Sequence, residues 1–283
     1  MARLTNIPLQ PLIDLASGIR GAHERRRECV RVAIEVDRSA PSELVRGVKG
    51  ALMPETSTGL VHVAAIDPAA PVRVNTDTDL AIIVAGEAKE GCALVARAFA
   101  TSGVACAVVV ETSVEAPAGE GLDGVALISA VSSEALLSKL ASWMADACPR
   151  DIALAANFPF CRHAVALRCV RDRSAQNAVV SLLPFGDSDL PVMGLNQALM
   201  ALDIASAYGK GVDARRALEL AFVAACALGS RTVARSCSKA LPGLGILVRL
   251  GVAYGGTALM GLALACAQEF APQELDDGQE ALP

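Results

Sequence analysis

The chain has 283 residues, a formal net charge of −5 and a mean hydropathy of +0.44, with 53% hydrophobic and 19% charged residues. This aliphatic content excludes a disordered chain, and the lack of a G-X-Y period or heptad run excludes collagen and coiled coil. The acidic balance argues against a nucleic-acid partner bound through a global basic field. With three histidines in total, a His-rich metal site is not expected, and no cofactor is predicted.

Nine cysteines are present, an odd number, and none of them forms a C-x-x-C pair. Most lie among alanine and valine, as small buried hydrophobic residues do. A secreted disulfide framework would need an even set behind a signal peptide. The pattern therefore predicts reduced thiols in a cytoplasmic protein.

The first 29 residues predict an amphipathic docking helix over about 9–28. Asp14 and Arg20 interrupt any continuous apolar region, so no signal peptide is expected. Arg25, Arg26 and Arg27 fall in the last turn, where cations suit the helix dipole. A helix lying on a membrane surface is the alternative interpretation.

Residues 30–150 alternate short apolar runs with helical patterns. Helices are predicted over 42–52, 88–102 and 133–147. Near-continuous apolar strands between helices are typical of a parallel sheet that is buried on both faces. We therefore expect a small, doubly wound, mostly parallel α/β domain, with any ligand at the carboxyl ends of the strands. The predicted strands are Val30–Val36, Leu60–Ile66, Leu80–Ala85, Val104–Val110 and Val125–Ser129.

From residue 151 the periodicity is helical, which predicts an Ala-rich helical bundle over 151–270. The overall fold class is therefore α/β plus all-α. The tail, 271–283, is acidic and contains proline, so it is predicted to be disordered. The helices of the bundle are predicted at 151–182, 193–208, 213–228, 230–240 and 244–268.

The loop after the first strand, Asp37–Ser42, contains neither glycine nor lysine. A phosphate-binding P-loop needs glycines so that backbone N–H groups can wrap the phosphates, and a lysine to neutralise them. Ordinary P-loop chemistry is therefore excluded at this position.

Later strands resemble those of Era-type GTPases. Asp79–Gly86 is similar to the DLVLFVVD strand of that family, and Val104–Val110 lies where the family has the strand before its NKxD motif. Leu127–Val131 and the helix after it resemble the family's SAK loop and final helix. The resemblance covers roughly 80–150 and implies a P-loop-NTPase-like fold.

The family's functional residues are largely replaced. A carboxylate at the last NKxD position would accept the guanine N–H groups, which a valine cannot do. The sequence thus resembles a GTPase domain that has lost its nucleotide chemistry; an unrelated small α/β domain is the alternative. The departures are Glu111, Thr112 and Val114 in NKxD and Ala70 in the DxxG that Asp67 begins, while Ser129–Ala130 remains.

The helical half resembles a domain of unknown function that follows Era-type GTPase domains and occurs in bacterial inner-membrane proteins. The resemblance implies an architecture and a membrane-linked context, and no reaction. Its matching elements here are Pro191, Asn196–Gln197, Met200, Ile204, Tyr208–Gly209, Pro242–Gly243 and the apolar helix with Tyr254–Gly256.

Two basic clusters have two interpretations each. They are either solvated helix faces or contacts to anionic lipid headgroups, worth about 1 kcal/mol per charge near a membrane surface. The clusters are Arg162, Arg168, Arg171 and Arg173, and Arg231, Arg235 and Lys239.

Residues 250–268 carry no charge and nearly reach the length of about 20 residues that spans a bilayer. Basic residues before the segment and acidic ones after it follow the positive-inside rule. Its many alanines and glycines equally suit a helix buried in a bundle. A buried helix, peripheral or hairpin membrane association and a single span all stay open. The main apolar positions are Leu250, Tyr254, Leu259, Met260, Leu262 and Leu264.

Asn196, Gln197 and Asp203 fall on one predicted helix. They form either a polar network against the α/β domain or, as we favour, capping and solvated positions. No nucleophile–base pair stands out anywhere in the chain.

The function that the sequence predicts is non-enzymatic. We expect a pseudo-GTPase-like interaction or scaffolding protein at the inner face of a bacterial membrane, with an unidentified protein partner. One alternative is a nucleotide-binding switch or hydrolase with Asp37, Asp67, Ser129 and Ala130 lining its pocket. Another is a fully soluble helical-bundle module.

Overall fold

The computed structural model describes residues 21, 24–67, 69–117, 120–182, 189–209 and 245–270. Five parallel strands form one sheet in the order β2-β1-β3-β4-β5. The parallel sheet is confirmed, and the described residues of the second half are helical, compatible with the predicted α/β plus all-α class. The strands are β1 (Val30–Val36), β2 (Gly59–Ala65), β3 (Leu80–Val84), β4 (Ala105–Val109) and β5 (Ala126–Ile128).

Seven helices are described in full, together with two single 3₁₀ turns at Ser113–Glu115 and Pro159–Cys161. Each of the three helices predicted among the strands is present, with ends that shift by one residue at most. The helices are α1 (Ser42–Ala51), α2 (Lys89–Thr101), α3 (Ser133–Ala147), α4 (Asp151–Asn157), α5 (Arg162–Leu182), α6 (Asp189–Ala207) and α7 (Gly245–Phe270).

Side chains alternate between the two faces of the sheet, and each face has its own apolar core. Val32 and Ile34 of β1 face the core that α1 and α3 cover. Ala33 of the same strand lies in the opposite core, which Phe99 of α2 fills. Because both faces are buried, the central strands are apolar at nearly every position.

The single helix predicted over 151–182 is wrong. The chain breaks into α4 and α5 because Phe158 adopts an extended conformation (φ −120°, ψ 97°) and Pro159 follows it. Proline disfavours helical geometry in the residue before it and has no N–H to continue a helix. Conversely, α6 begins at Asp189, four residues before its predicted start, and includes Pro191 in its first turn, where proline is tolerated.

Among the described residues of the second half, α5, α6 and α7 pack together as one layer. Its buried centre contains Val170 of α5, Met200 and Ile204 of α6, and Met260 and Leu264 of α7. The layer places α7 directly against α5, with polar side chains enclosed between them.

The core does not stop at the predicted boundary near residue 150. Phe158, Val165 and Ala207 from the helical half are buried in the same apolar cluster as Ile34 and Ile82 of the sheet. The two halves therefore share a hydrophobic core.

Several predictions lie outside the described residues. They are most of the N-terminal helix, the helices over 213–228 and 230–240 with Arg231, Arg235 and Lys239, and the tail from 271. Of the N-terminal helix, residues 21 and 24–28 are described, and 21 and 24–26 are helical.

Candidate functional site

The carboxyl ends of the five strands meet at one edge of the sheet. The chain leaves β1 for its neighbour β2 and then crosses back over β1 to β3. In open α/β sheets, the crevice where the strand order reverses is where ligands bind. The residues that follow β1 and β3 therefore define the candidate site.

Asp37, directly after β1, is the centre of this crevice. Its carboxylate accepts hydrogen bonds from the backbone N–H of Ser39 (3.1 Å), Gly86 (3.1 Å) and Ala88 (3.0 Å) and from the Ser39 hydroxyl (2.8 Å). The side chain is 5% exposed. Ser39 Oγ in turn accepts from the backbone N–H of Glu87 at 2.8 Å.

Gly86 permits this close approach of the two loops. A Cβ atom at this position would lie 2.5 Å from Ala40 N and 2.6 Å from Ser39 C, both backbone atoms. No side chain fits there without separating the loops. The glycine that ends β3 is thus required by packing against the β1 loop.

The pKa of the Asp37 carboxyl reflects two opposed effects. Burial on its own raises this pKa, but the donors from Ser39, Ala88 and Gly86 stabilise the ionised form and hold the pKa below its ordinary value. The crevice thus contains a charged carboxylate of the chain itself, held by backbone N–H groups just before α2 begins. Such N–H groups are the usual ligands for a phosphate.

The other residues predicted to line a nucleotide pocket do not join Asp37 through any described hydrogen bond. Asp67 is exposed and accepts from Ala69 N in its own turn (3.0 Å). The backbone carbonyl of Ser129 accepts from Lys139 Nζ (2.7 Å), and Ala130 packs against the core. The structure places these residues at the same edge of the sheet and gives each a separate local role.

The loop after β4 contains Val114, one of the residues compared with the NKxD motif in the sequence. Val114 is 81% exposed, and its backbone carbonyl accepts from Lys89 Nζ at 2.7 Å. The Lys89 ammonium, which lies beside the crevice, is thereby tied to a backbone oxygen of the next loop.

A shallow cleft of about 640 Å³ runs from the crevice along α1. Val36, Val45 and Met53 supply apolar surface, while Arg38 and Lys49 supply positive charge. The cleft is therefore both apolar and basic, with Asp37 at its inner end.

Polar side chains between α5, α6 and α7 form a hydrogen-bonded network. The capping and solvated positions expected for Asn196, Gln197 and Asp203 are wrong, because Gln197 and Asp203 are 3% and 4% exposed. Asn196 donates to Asn177 Oδ1 (2.8 Å), and Thr257 Oγ1 accepts from Asn177 (3.0 Å) and Gln197 (3.1 Å). The network lies within the helical layer and not against the sheet.

Asp203 extends this network through two arginines. It pairs with Arg173 of α5 at 2.9 Å and with Arg25, before β1, at 2.5 Å. Arg25 and Asp203 are 178 positions apart, so no local sequence signal could have revealed their contact.

The four arginines of α5 are bound to carboxylates of the chain. Arg162 pairs with Glu55 (2.5 Å), Arg171 with Asp146 (2.9 Å) and Arg173 with Asp203. Arg168 lies within 4 Å of three carboxylates, those of Asp146, Asp151 and Asp172. Carboxylates of the same chain thereby offset their charge. The sequence had predicted a solvated helix face or contacts with lipid headgroups, and neither prediction included these ion pairs.

Helix α7 has one buried and one exposed side. Of its predicted apolar residues, Met260 and Leu264 are buried, while Leu259 is 72% and Leu262 41% exposed. Tyr254 is 40% exposed and Leu250 is half-buried. The stretch Arg249–Phe270 is long and apolar enough to cross a membrane, and a third of its most apolar window is buried.

Within the described residues, no group of three His, Cys, Asp or Glu side chains could hold a metal ion. The described cysteines are free thiols. Burial raises the pKa of Cys92 to about 11 and of Cys106 to about 12, so these thiols stay protonated.

Comparison with known proteins finds no family model, no curated protein and no solved structure that matches this chain.

Proposed function

We propose that this chain is a non-enzymatic interaction or scaffolding protein. Its α/β half is a GTPase-like domain that does not bind nucleotide, and its helical half associates with the inner face of a bacterial membrane. The observation that carries the proposal is the Asp37 carboxylate, which occupies the backbone N–H groups of Gly86 and Ala88 at the strand-order reversal.

The charge of Asp37 supports the absence of nucleotide binding. A phosphate entering the crevice would meet a buried carboxylate with a lowered pKa, and like charges at such distances repel strongly in a site of low dielectric. The loop lacks the glycines and the lysine that would offer replacement donors.

The membrane half of the proposal is supported by α7. Leu259 and Phe270 expose 72% and 85% of their surface on a helix of 26 residues that is long enough to reach across a bilayer. Exposed apolar patches of this kind mark contacts with partners or with membranes.

The first experiment is a titration of the full chain with GTP, GDP and ATP plus Mg²⁺, followed by calorimetry and thermal melting. We expect no heat and no shift in Tm at millimolar nucleotide. A ligand at 100 times its Kd would add about 2.7 kcal/mol to stability, which a melt detects readily.

Saturable nucleotide binding would overturn the proposal in favour of a switch or hydrolase. The pair Arg38→Ala and Lys49→Ala would then show whether that binding uses the cleft along α1. Arg171→Ala serves as the matched control, because Arg171 is also basic but pairs with Asp146 away from the cleft.

A further inference from the structure

Between Leu259 and Phe270, the exposed side of α7 carries a row of apolar side chains, here called the outward face. From 259 to 267 its exposed side chains are aliphatic or a thiol, and Phe270 closes it at the carboxyl end. The outward face consists of Leu259, Leu262, Ala263, Cys266, Ala267 and Phe270.

The opposite side of α7 is fixed to the helical layer by polar and by steric contacts. Thr257 is fully buried and accepts hydrogen bonds from Asn177 at 3.0 Å and Gln197 at 3.1 Å. At Gly261 the backbone approaches α5 and α6 so closely that a Cβ would lie 2.6 Å from Val170 Cγ2 and 3.0 Å from Met200 Sδ.

These contacts oppose insertion of α7 across a bilayer. If α7 crossed the bilayer by itself, the side-chain amides of Asn177 and Gln197 would lose their acceptor, Thr257 Oγ1. Thr257 would then lie in hydrocarbon, where each unsatisfied polar group is costly. Crossing together with α5 would carry five charged residues into the membrane. Those residues are Arg162, Arg168, Arg171, Asp172 and Arg173.

The chemistry of the outward face favours lipid over a protein partner. The residues of the outward face carry no amide, hydroxyl or charge, and Phe270 at the carboxyl end is their one aromatic ring; Glu269, exposed beside Phe270, lies 3.8 Å from His163. Polar, charged and aromatic groups are the ones that anchor protein interfaces. Contact with lipid acyl chains requires no hydrogen-bonding or charged group. Arg249 is exposed near the amino end of the helix, where it can reach anionic headgroups.

We propose that α7 binds an anionic membrane surface in the plane of the membrane, through its outward face, and does not cross the bilayer. This inference rests on the membrane association in the proposed function. It adds that lipid covers the outward face and that α7 lies parallel to the membrane surface.

The first arm of the test measures flotation of the full chain with vesicles of phosphatidylcholine and phosphatidylglycerol. We expect wild-type protein to float and the double variant Leu259→Glu/Leu262→Glu to lose more than about tenfold of its bound fraction. Val131→Glu is the control, because Val131 is a fully exposed valine in the loop before α3. Melting curves verify that each variant is folded.

The second arm determines topology. Arg249→Cys and Glu269→Cys are introduced singly into a chain whose Cys29, Cys226, Cys237 and Cys266 are serines, and vesicle-bound protein is treated with an impermeant maleimide. We expect both ends of α7 to be labelled from outside. If one end is labelled only after detergent is added, the helix spans the membrane, and the in-plane inference falls while membrane association stands.

If wild-type protein does not float, both the inference and the membrane half of the proposed function fail. A doubled mass in light scattering that the Leu259→Glu/Leu262→Glu variant abolishes would then assign the outward face to a second copy of the chain.

Discussion

Asp37 determines the geometry of the sheet's carboxyl edge. One buried carboxylate satisfies three backbone N–H groups and a hydroxyl, and it thereby joins the loop after β1 to the loop after β3. Hydrogen bonds to a charged acceptor are among the stronger ones in proteins, and a buried donor without a partner is costly. The residue is therefore structural, and the proposed absence of nucleotide binding rests on its charge.

We expect Asp37→Ala to lower the free energy of unfolding by about 2 to 4 kcal/mol, because the N–H groups of Gly86 and Ala88 lose their acceptor. Urea denaturation measures the change. Asp67→Ala is the matched control: among the described residues, this exposed aspartate's carboxylate accepts only from Ala69 N, so a change of less than about 1 kcal/mol is expected. Equal losses in both variants would contradict the role given to Asp37.

The lowered pKa of Asp37 predicts a pH dependence of stability. Since the folded pKa lies below the unfolded value, the unfolded state takes up the proton first as the pH falls. The stabilisation is fully present above the unfolded pKa of about 3.9 and is lost as the pH falls through the folded value. We expect the stability difference between wild type and Asp37→Asn to stay constant above about pH 5 and to shrink as the pH falls below about 4.

Burial raises the pKa values of Glu35 and Asp151, so these two groups change the stability with pH in the direction opposite to Asp37. Wild type and Asp37→Asn both contain them, so their effect cancels in the difference between the two proteins. A difference that stays constant with pH would show that Asp37 contributes no charged hydrogen bonds.

Helix α7 has a buried side that packs on α5 and α6 and an exposed side that is largely apolar. On its buried side, Gly261 lies where the backbone of α7 closely approaches α5 and α6. Thr257 accepts hydrogen bonds from the amides of Asn177 and Gln197. Its exposed side retains aliphatic residues that nothing in the described part of the chain covers. The glycines of the helix are therefore not equivalent.

Two glycines of α7 make a matched pair. Gly261→Ala should destabilise the protein by about 1 to 3 kcal/mol, because its Cβ would overlap Val170 and approach the sulfur of Met200. Gly251→Ala meets no atom within 4 Å and should stabilise by up to about 1 kcal/mol through helix propensity. Thermal and urea melts of both variants provide the test, and stabilisation by Gly261→Ala would refute the close packing of α7 on α5.

Across the whole molecule, the sheet and the helical layer are held together by shared burial. Phe158 and Val165 lie in the core that contains Ile34 and Ile82, and Arg25 reaches Asp203 across most of the chain's length. Because the sheet and the helical layer share a core, unfolding of either one would expose apolar surface of the other.

We therefore expect the described parts to unfold in one cooperative transition. Trp143, the only tryptophan, packs in α3 against the shared core, so its fluorescence reports that core. Far-UV circular dichroism reports the helices. The two signals should change at the same urea concentration. A loss of ellipticity well before the change in fluorescence would indicate an independently unfolding helical half.

Local pattern by itself determined most of the elements of this protein. Apolar runs bounded by turn residues located all five strands, and Val30–Val36 and Ser133–Ala147 coincide with their predicted bounds. The reason is that burial on both faces of a parallel sheet imposes apolar residues at consecutive positions, and this signal lies within each strand. The missing glycines and lysine after β1 were likewise visible without a structure.

Tertiary structure alone decided what the polar residues do. Asp37 finds its donors about 50 positions away, Asp203 finds Arg25 at a separation of 178, and the α5 arginines find carboxylates on α3 and in the loop after α1. Which side of α7 is buried depends on how α5 and α6 pack against it. Hydrogen bonds and ion pairs between distant residues leave no local periodicity, because their geometry exists only once the chain has folded.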